Sequence, residues 1–110
     1  MHVIDLNVNI LSSWKDNRVH SKFFIVLIKW KDVPTETLRA GMNQVRQTIK
    51  ALKEKGIKLD LYWTLGRYDS VAIMEAPSEQ VAMKILIGFR EIVDTETMVA
   101  VSREEAVKLV

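Results

Sequence analysis

The chain has no cysteine. That single absence removes disulfides, thiolate metal sites and a cysteine nucleophile, and it fits a reducing compartment. Histidine is nearly as scarce. The 2 histidines, His2 and His20, sit near the start without a ligand-spaced partner, so neither zinc nor haem is expected, no metal site is assigned, and no cofactor is called for. Long hydrophobic runs are missing as well. Nothing approaches the ~20 consecutive apolar residues that span a bilayer. The apolar start Val3-Ile4 is broken by Asp5, Asn7 and Asn9, so no signal peptide is read. A cytoplasmic protein without a membrane partner is the expectation. Nor does charge of one sign accumulate: 16 Lys and Arg against 14 Asp and Glu leave a net +2. That excess is too small to call for nucleic acid or an anionic surface.

What is present suits one soluble domain. A chain of 110 residues, 48% hydrophobic and 27% charged, buries roughly 65% of the surface its unfolded form exposes. Its 2 prolines and 4 glycines punctuate it sparsely, and Pro34, Gly56, Gly66 and Pro77 fall between periodic segments.

Ile4, Leu6, Val8 and Ile10 alternate with polar residues, the period-two mark of a half-buried strand, and residues 12–18 read as a polar turn. Residues 23–30 are apolar at nearly every position, so both faces of that strand need cover. Pro34-Thr35 opens a long helix with Thr35 as its expected N-cap. Leu38, Met42, Val45, Ile49 and Leu52 form its apolar stripe, and Lys53, Lys55 and Gly56 close it. Arg39, Arg46, Lys50 and Lys53 beside that stripe read as a solvated face. Residues 57–65 alternate as a strand, Gly66 turns the chain, and a further strand covers about 68–76. Ser78 caps a second helix that is apolar around most of its girth, from Val81 to Phe89. A last strand over about 93–101 precedes Ser102 and Glu105, a capping box for a short terminal helix.

From residue 22 onward the order is strand, helix, strand, strand, helix, strand. The expected fold is therefore α+β: a ferredoxin-like split βαβ (βαββαβ) antiparallel sheet with two helices on one face. An extra N-terminal strand belongs to a 1–21 extension, and a short C-terminal helix ends the 22–110 domain. The uncovered sheet face then needs a partner, most simply a second copy of the chain. The extension strand is expected to run along a sheet edge, its own or the partner's.

Gly66-x-Tyr68-Asp69 after Thr64-Leu65, followed by Glu75-Ala76-Pro77, resembles the GYD-domain family. Lys29-Trp30 and Thr95-Glu96-Thr97 fit the same pattern, and the resemblance covers about residues 22–109. It implies a ferredoxin-like domain related in shape to dimeric α/β barrels, without an established activity.

Candidate chemistry is sparse. Arg67, Tyr68 and Asp69 group at a bend, either as a recognition cluster or as ordinary turn residues. Strand alternation sets Tyr68 and Asp69 on opposite faces, which argues against their acting on one ligand. Asp69 and Glu75 lie roughly 20 Å apart along a strand, too far for a paired-carboxylate mechanism. Glu75 alone on an apolar strand is a candidate general base, or else a carboxylate tied to backbone or a cation. Trp30, Tyr62, Trp63 and Tyr68 line a ligand cavity on one reading and anchor a core or interface on the other.

Three functions stay open. One is a homo-oligomeric ligand-binding or interaction module, its pocket between sheet and helices or at the dimer interface, with Trp30, Arg67, Tyr68 and Asp69 as candidate residues for a small organic ligand. Another is a cofactor-independent oxygenase or isomerase of an aromatic or other small organic substrate, with Glu75 as base and Trp30 or Tyr68 positioning the substrate, a reading by fold analogy. RNA binding through the sheet is the third. Nucleic acid is not expected, because the 68–76 strand lacks the basic-glycine-aromatic run that stacks bases.

Overall fold

A computed structural model describes residues 21–110. The strand and turn expected over 4–18 lie outside the described residues. The described chain runs β1 (Lys22–Trp30), α1 (Thr35–Glu54), β2 (Lys58–Trp63), β3 (Ser70–Ala76), α2 (Glu79–Ile87), β4 (Val93–Ala100) and α3 (Arg103–Val107). All sheet pairings are antiparallel, in the order β2-β3-β1-β4. This is the ferredoxin-like split βαβ arrangement, with β1 and β3 central as their apolar sequences require.

Register sorts the strand residues into two faces. Phe24, Val26 and Ile28 stand opposite Met74, Ala72 and Ser70, and all six are buried toward the helices. Leu52, Ile57, Ala76, Val81, Ala82, Ile85, Phe89, Ile92 and Val93 complete that core.

Helix α1 differs from its expected shape at both its start and its packed stripe. Thr35 is the first helical residue, Pro34 occupies the N-cap, and no side chain caps the helix. Proline's fixed φ suits the extended N-cap at φ −55 and ψ 146. The packed line is Gly41, Val45, Thr48 and Leu52, with Met42 turned outward. Gly41 sets this rotation. A Cβ there would stand 2.4 Å from Ile92 Cδ1, so only glycine lets the helix approach this closely.

At the other end Lys55 is the C-cap and Gly56 follows it at φ 85. The Gly56 N–H donates to the Lys53 carbonyl (3.1 Å) and the Ile57 N–H to that of Leu52 (2.9 Å). These two bonds make a Schellman motif, and the buried Leu52 and Ile57 supply its hydrophobic contact.

Helix α2 is shorter than its apolar sequence suggests. Ser78 Oγ accepts from the Val81 N–H at 3.2 Å, as expected of an N-cap. The helix stops at Ile87 with Gly88 as C-cap, and Phe89 packs from the following turn. Helix α3 begins behind Ser102, whose Oγ accepts from the Glu105 N–H at 3.1 Å. Among the described residues no helix is long and apolar enough to cross a membrane.

Candidate functional site

The β2–β3 connection is the densest polar feature. Its loop, residues 65–68, is closed by the Thr64 N–H donating to the Asp69 carbonyl at 3.0 Å. Thr64 Oγ1 donates to the Tyr68 carbonyl at 2.9 Å, and Gly66 supplies φ 116 at the bend.

Each of the three grouped residues has its own task. The Asp69 N–H donates to the Ile28 carbonyl at 2.9 Å. Its Oδ2 accepts from the Trp30 N–H at 2.8 Å, capping the ladder where β1 outruns β3. Asp69 therefore serves the backbone. Tyr68 reaches elsewhere: its hydroxyl donates to Glu96 Oε2 at 2.6 Å. Arg67 lies over the Tyr68 ring with Cζ 5.8 Å from the centroid. Lys29 Nζ donates to the Arg67 carbonyl at 3.3 Å.

Glu96 stands opposite Leu27, on the sheet face away from the helices. Tyr68 and Asp69 thus serve different partners, Glu96 and the β1 backbone. Strand β3 begins only at Ser70, and the loop before it is free to swing Tyr68 onto the open face. There Leu27, Lys29, Arg67, Tyr68, Asp94 and Glu96 border a depression of about 350 Å³. The hydrogen bond to Glu96, then burial and the carboxylate's charge, raise the Tyr68 pKa above its ordinary 10.0, against the opposing pull of Arg67. Near neutrality Tyr68 is a phenol aimed at a carboxylate, with its oxygen lone pairs left to accept from a ligand.

The aromatic set is divided between the two faces. Trp30 and Trp63 stack with centroids 5.4 Å apart and planes 16° from parallel. They lie at the helix side of the sheet, where Trp63 pairs with the buried Ser70. Tyr62, opposite Val71, belongs to the open face with Tyr68. The Trp30 Nε1 and Ser70 Oγ are buried without a hydrogen-bond partner among the described residues. An unmet buried polar group costs about 1–3 kcal/mol, so this end of the core is the less favourable one.

Glu75 lies at the far end of the open face, opposite Phe23 and Lys58. Its Oε1 accepts from Ser21 Oγ at 2.9 Å. Strand β3 holds it roughly 15–20 Å from the Tyr68 cluster. Within one chain, Glu75 and either Trp30 or Tyr68 do not reach a common small substrate. Among the described residues no group of three or more His, Cys, Asp or Glu is placed to hold a metal ion.

Glu96 and Lys29 are functional-looking residues that sequence reasoning did not assign to this cluster. The signal was the pairing of residues 93–100 with 22–30, which sets Asp94 opposite Lys29 and Glu96 opposite Leu27.

The fold and the loop define a ferredoxin-like domain with a Gly-x-Tyr-Asp turn between its second and third strands, β2 and β3. The family model of the GYD domain matches residues 24–110, and the chain belongs to that family. No curated protein and no solved structure matches it.

Proposed function

We propose that this chain is a homo-oligomeric, ligand-binding module of the dimeric α/β-barrel type, in which two open sheet faces pack together. The observation that carries this reading is the apolar band across the open face. Phe23, Ile25 and Leu27 of β1 lie beside Ile73 and Val71 of β3, with Met98 of β4 opposite Ile25. Phe23, Ile73 and Met98 remain 43%, 40% and 46% exposed. A contiguous apolar patch rimmed by charge is the usual appearance of an interface. Here Lys58 and Glu75 rim one end, and Lys29, Asp94 and Glu96 the other. The centre of the band is aliphatic, which suits packing against a second copy better than stacking on bases.

The enzymatic alternative draws less support. Its proposed base, Glu75, is distant from the aromatic residues that would position a substrate. The raised Tyr68 pKa also favours a hydrogen-bond donor over a phenolate.

Native mass spectrometry of the wild type and of Ile73→Lys tests the pairing. The expected result is a dimer or larger assembly for the wild type and a monomer with unchanged circular dichroism for the variant. A wild type that stays monomeric at every concentration overturns it.

A further inference from the structure

The open face is not the only apolar surface the fold leaves uncovered. Helix α2 is too narrow to roof the helix side of β4, and a groove of about 460 Å³ runs between them. That volume falls within the ~300–1,000 Å³ of small-molecule sites. Met83, Leu86 and Ile87 form one wall, and Phe24, Val93 and Val99 contribute to the other. Met83 and Ile87 are 60% and 47% exposed, although they belong to a helix whose other apolar residues pack inward.

The polar groups of this groove are few and unevenly placed. Thr95 and Thr97 alternate along its floor, each with a hydroxyl able to donate and accept. Glu79 and Arg90 both border it, at opposite ends of α2. Glu79 is already neutralised by Lys22, whose Nζ lies 2.6 Å from its Oε1. That hydrogen bond, first among its causes, lowers the Glu79 pKa. Arg90 is in none of the ion pairs Lys22–Glu79, Lys31–Asp94 and Lys108–Glu105 of the described residues, and its carbonyl accepts from Lys31 Nζ at 2.6 Å. The groove is therefore mainly apolar, and Arg90 is the basic residue among the described ones that line it, near Val93.

We propose that the α2–β4 groove binds a small amphipathic carboxylic acid. Its apolar body lies between Met83, Leu86 and Val99, and its carboxylate lies against Arg90, with the threonine hydroxyls as secondary donors. Guanidinium groups pair with carboxylates through two parallel N–H···O bonds, and one bordering an apolar trough favours an anion over a neutral ligand of equal length. The inference deepens the ligand-binding half of the function proposed above and rests on that half, not on the pairing of sheets.

The methionines provide a direct test, because Met83 borders the groove whereas Met98 lies on the open sheet face. Full-length protein labelled with ¹³C at its methionine methyls would be titrated with sodium decanoate and, separately, with 1-decanol. Saturable shifts of Met83 with Met98 unmoved are expected, and decanoate should bind about tenfold more tightly than the alcohol. Arg90→Gln should erase that preference by weakening decanoate while leaving 1-decanol unchanged. Saturable shifts at Met98 alone would retain a ligand-binding module but overturn this site. Absence of saturable shifts at either methyl would overturn both the site and the ligand-binding half of the proposed function. Nuclear Overhauser contacts from residues 1–20 to Met83 would assign the groove to the chain's own start. Concentration-dependent Met83 shifts without acid would assign it to a second copy. Either result overturns the proposal. Oligomeric state, read separately by native mass spectrometry, decides the pairing of sheets without bearing on the groove.

Discussion

Met74 and Ile73 are neighbours on β3, yet one is fully buried and the other 40% exposed. The same contrast runs along β1, where Phe24 and Val26 face the helices while Phe23 and Ile25 face outward. Hydrophobicity does not distinguish the two faces of this sheet; cover does. Among the described residues two helices pack on one side of the four strands, while Phe23, Ile73 and Met98 on the other side stay partly exposed. The helix face is accordingly where folding energy resides, and the open face is where association is expected.

The largest break in that comparison should come from adjacent alanine substitutions. Met74→Ala removes a fully buried side chain and is expected to cost about 2–5 kcal/mol, read by urea denaturation at every protein concentration. Ile73→Ala should cost the isolated subunit about 1 kcal/mol or less. Its main effect should be to make the denaturation midpoint independent of protein concentration, where the wild type's rises with it. Equal losses for both variants, with no change in concentration dependence, would erase the distinction between the faces.

A smaller effect is expected where the faces meet the loop. Asp69→Ala leaves the Trp30 N–H without its acceptor and should cost about 1–3 kcal/mol. Asp69→Asn keeps a carbonyl oxygen in place and should cost less. If both variants unfold like the wild type, Asp69 does not hold the end of β1, and a ligand-facing role would return to consideration.

The smallest effect is a titration. The Tyr68 pKa is raised in the folded chain, so its contribution to stability is fully present below the unfolded value, near 10. That contribution is lost as pH rises through the folded value. Phenolate absorbance in a Tyr62→Phe background isolates Tyr68, the other tyrosine of 2. Adding Glu96→Ala removes the hydrogen bond that dominates the shift and should lower the midpoint. An unmoved midpoint would separate Tyr68 from Glu96 in solution.

The sequence made the order of elements legible because each carries its own period. Alternation marked β2, and four-three spacing marked α1. The uninterrupted apolar run of β1 placed it at the centre of the sheet. Side-chain direction was legible only inside those periods. Which face Tyr68 takes was not legible, because it precedes Ser70, in a loop that obeys no period. The packed line of α1 was misread for another reason. Gly41 sits in it because of Ile92, far along the chain, and a close approach between distant residues leaves no periodic trace in either segment. Of the candidate site, the Gly-x-Tyr-Asp turn was visible from its residue types. Glu96 was not, since only the pairing of β4 with β1 brings it to Tyr68.

Strand β4 has β1 as its one neighbour among the described residues, and its first half, Val93 to Thr97, carries the carboxylates Asp94 and Glu96. Two such edges meeting antiparallel about that half would set carboxylate against carboxylate, a destabilising arrangement for directly opposed strand residues. An open edge of this length would otherwise serve as a template for endless lateral growth. Those two acids disfavour edge-to-edge pairing of β4, so a variant with both neutralised should be judged first by its solubility.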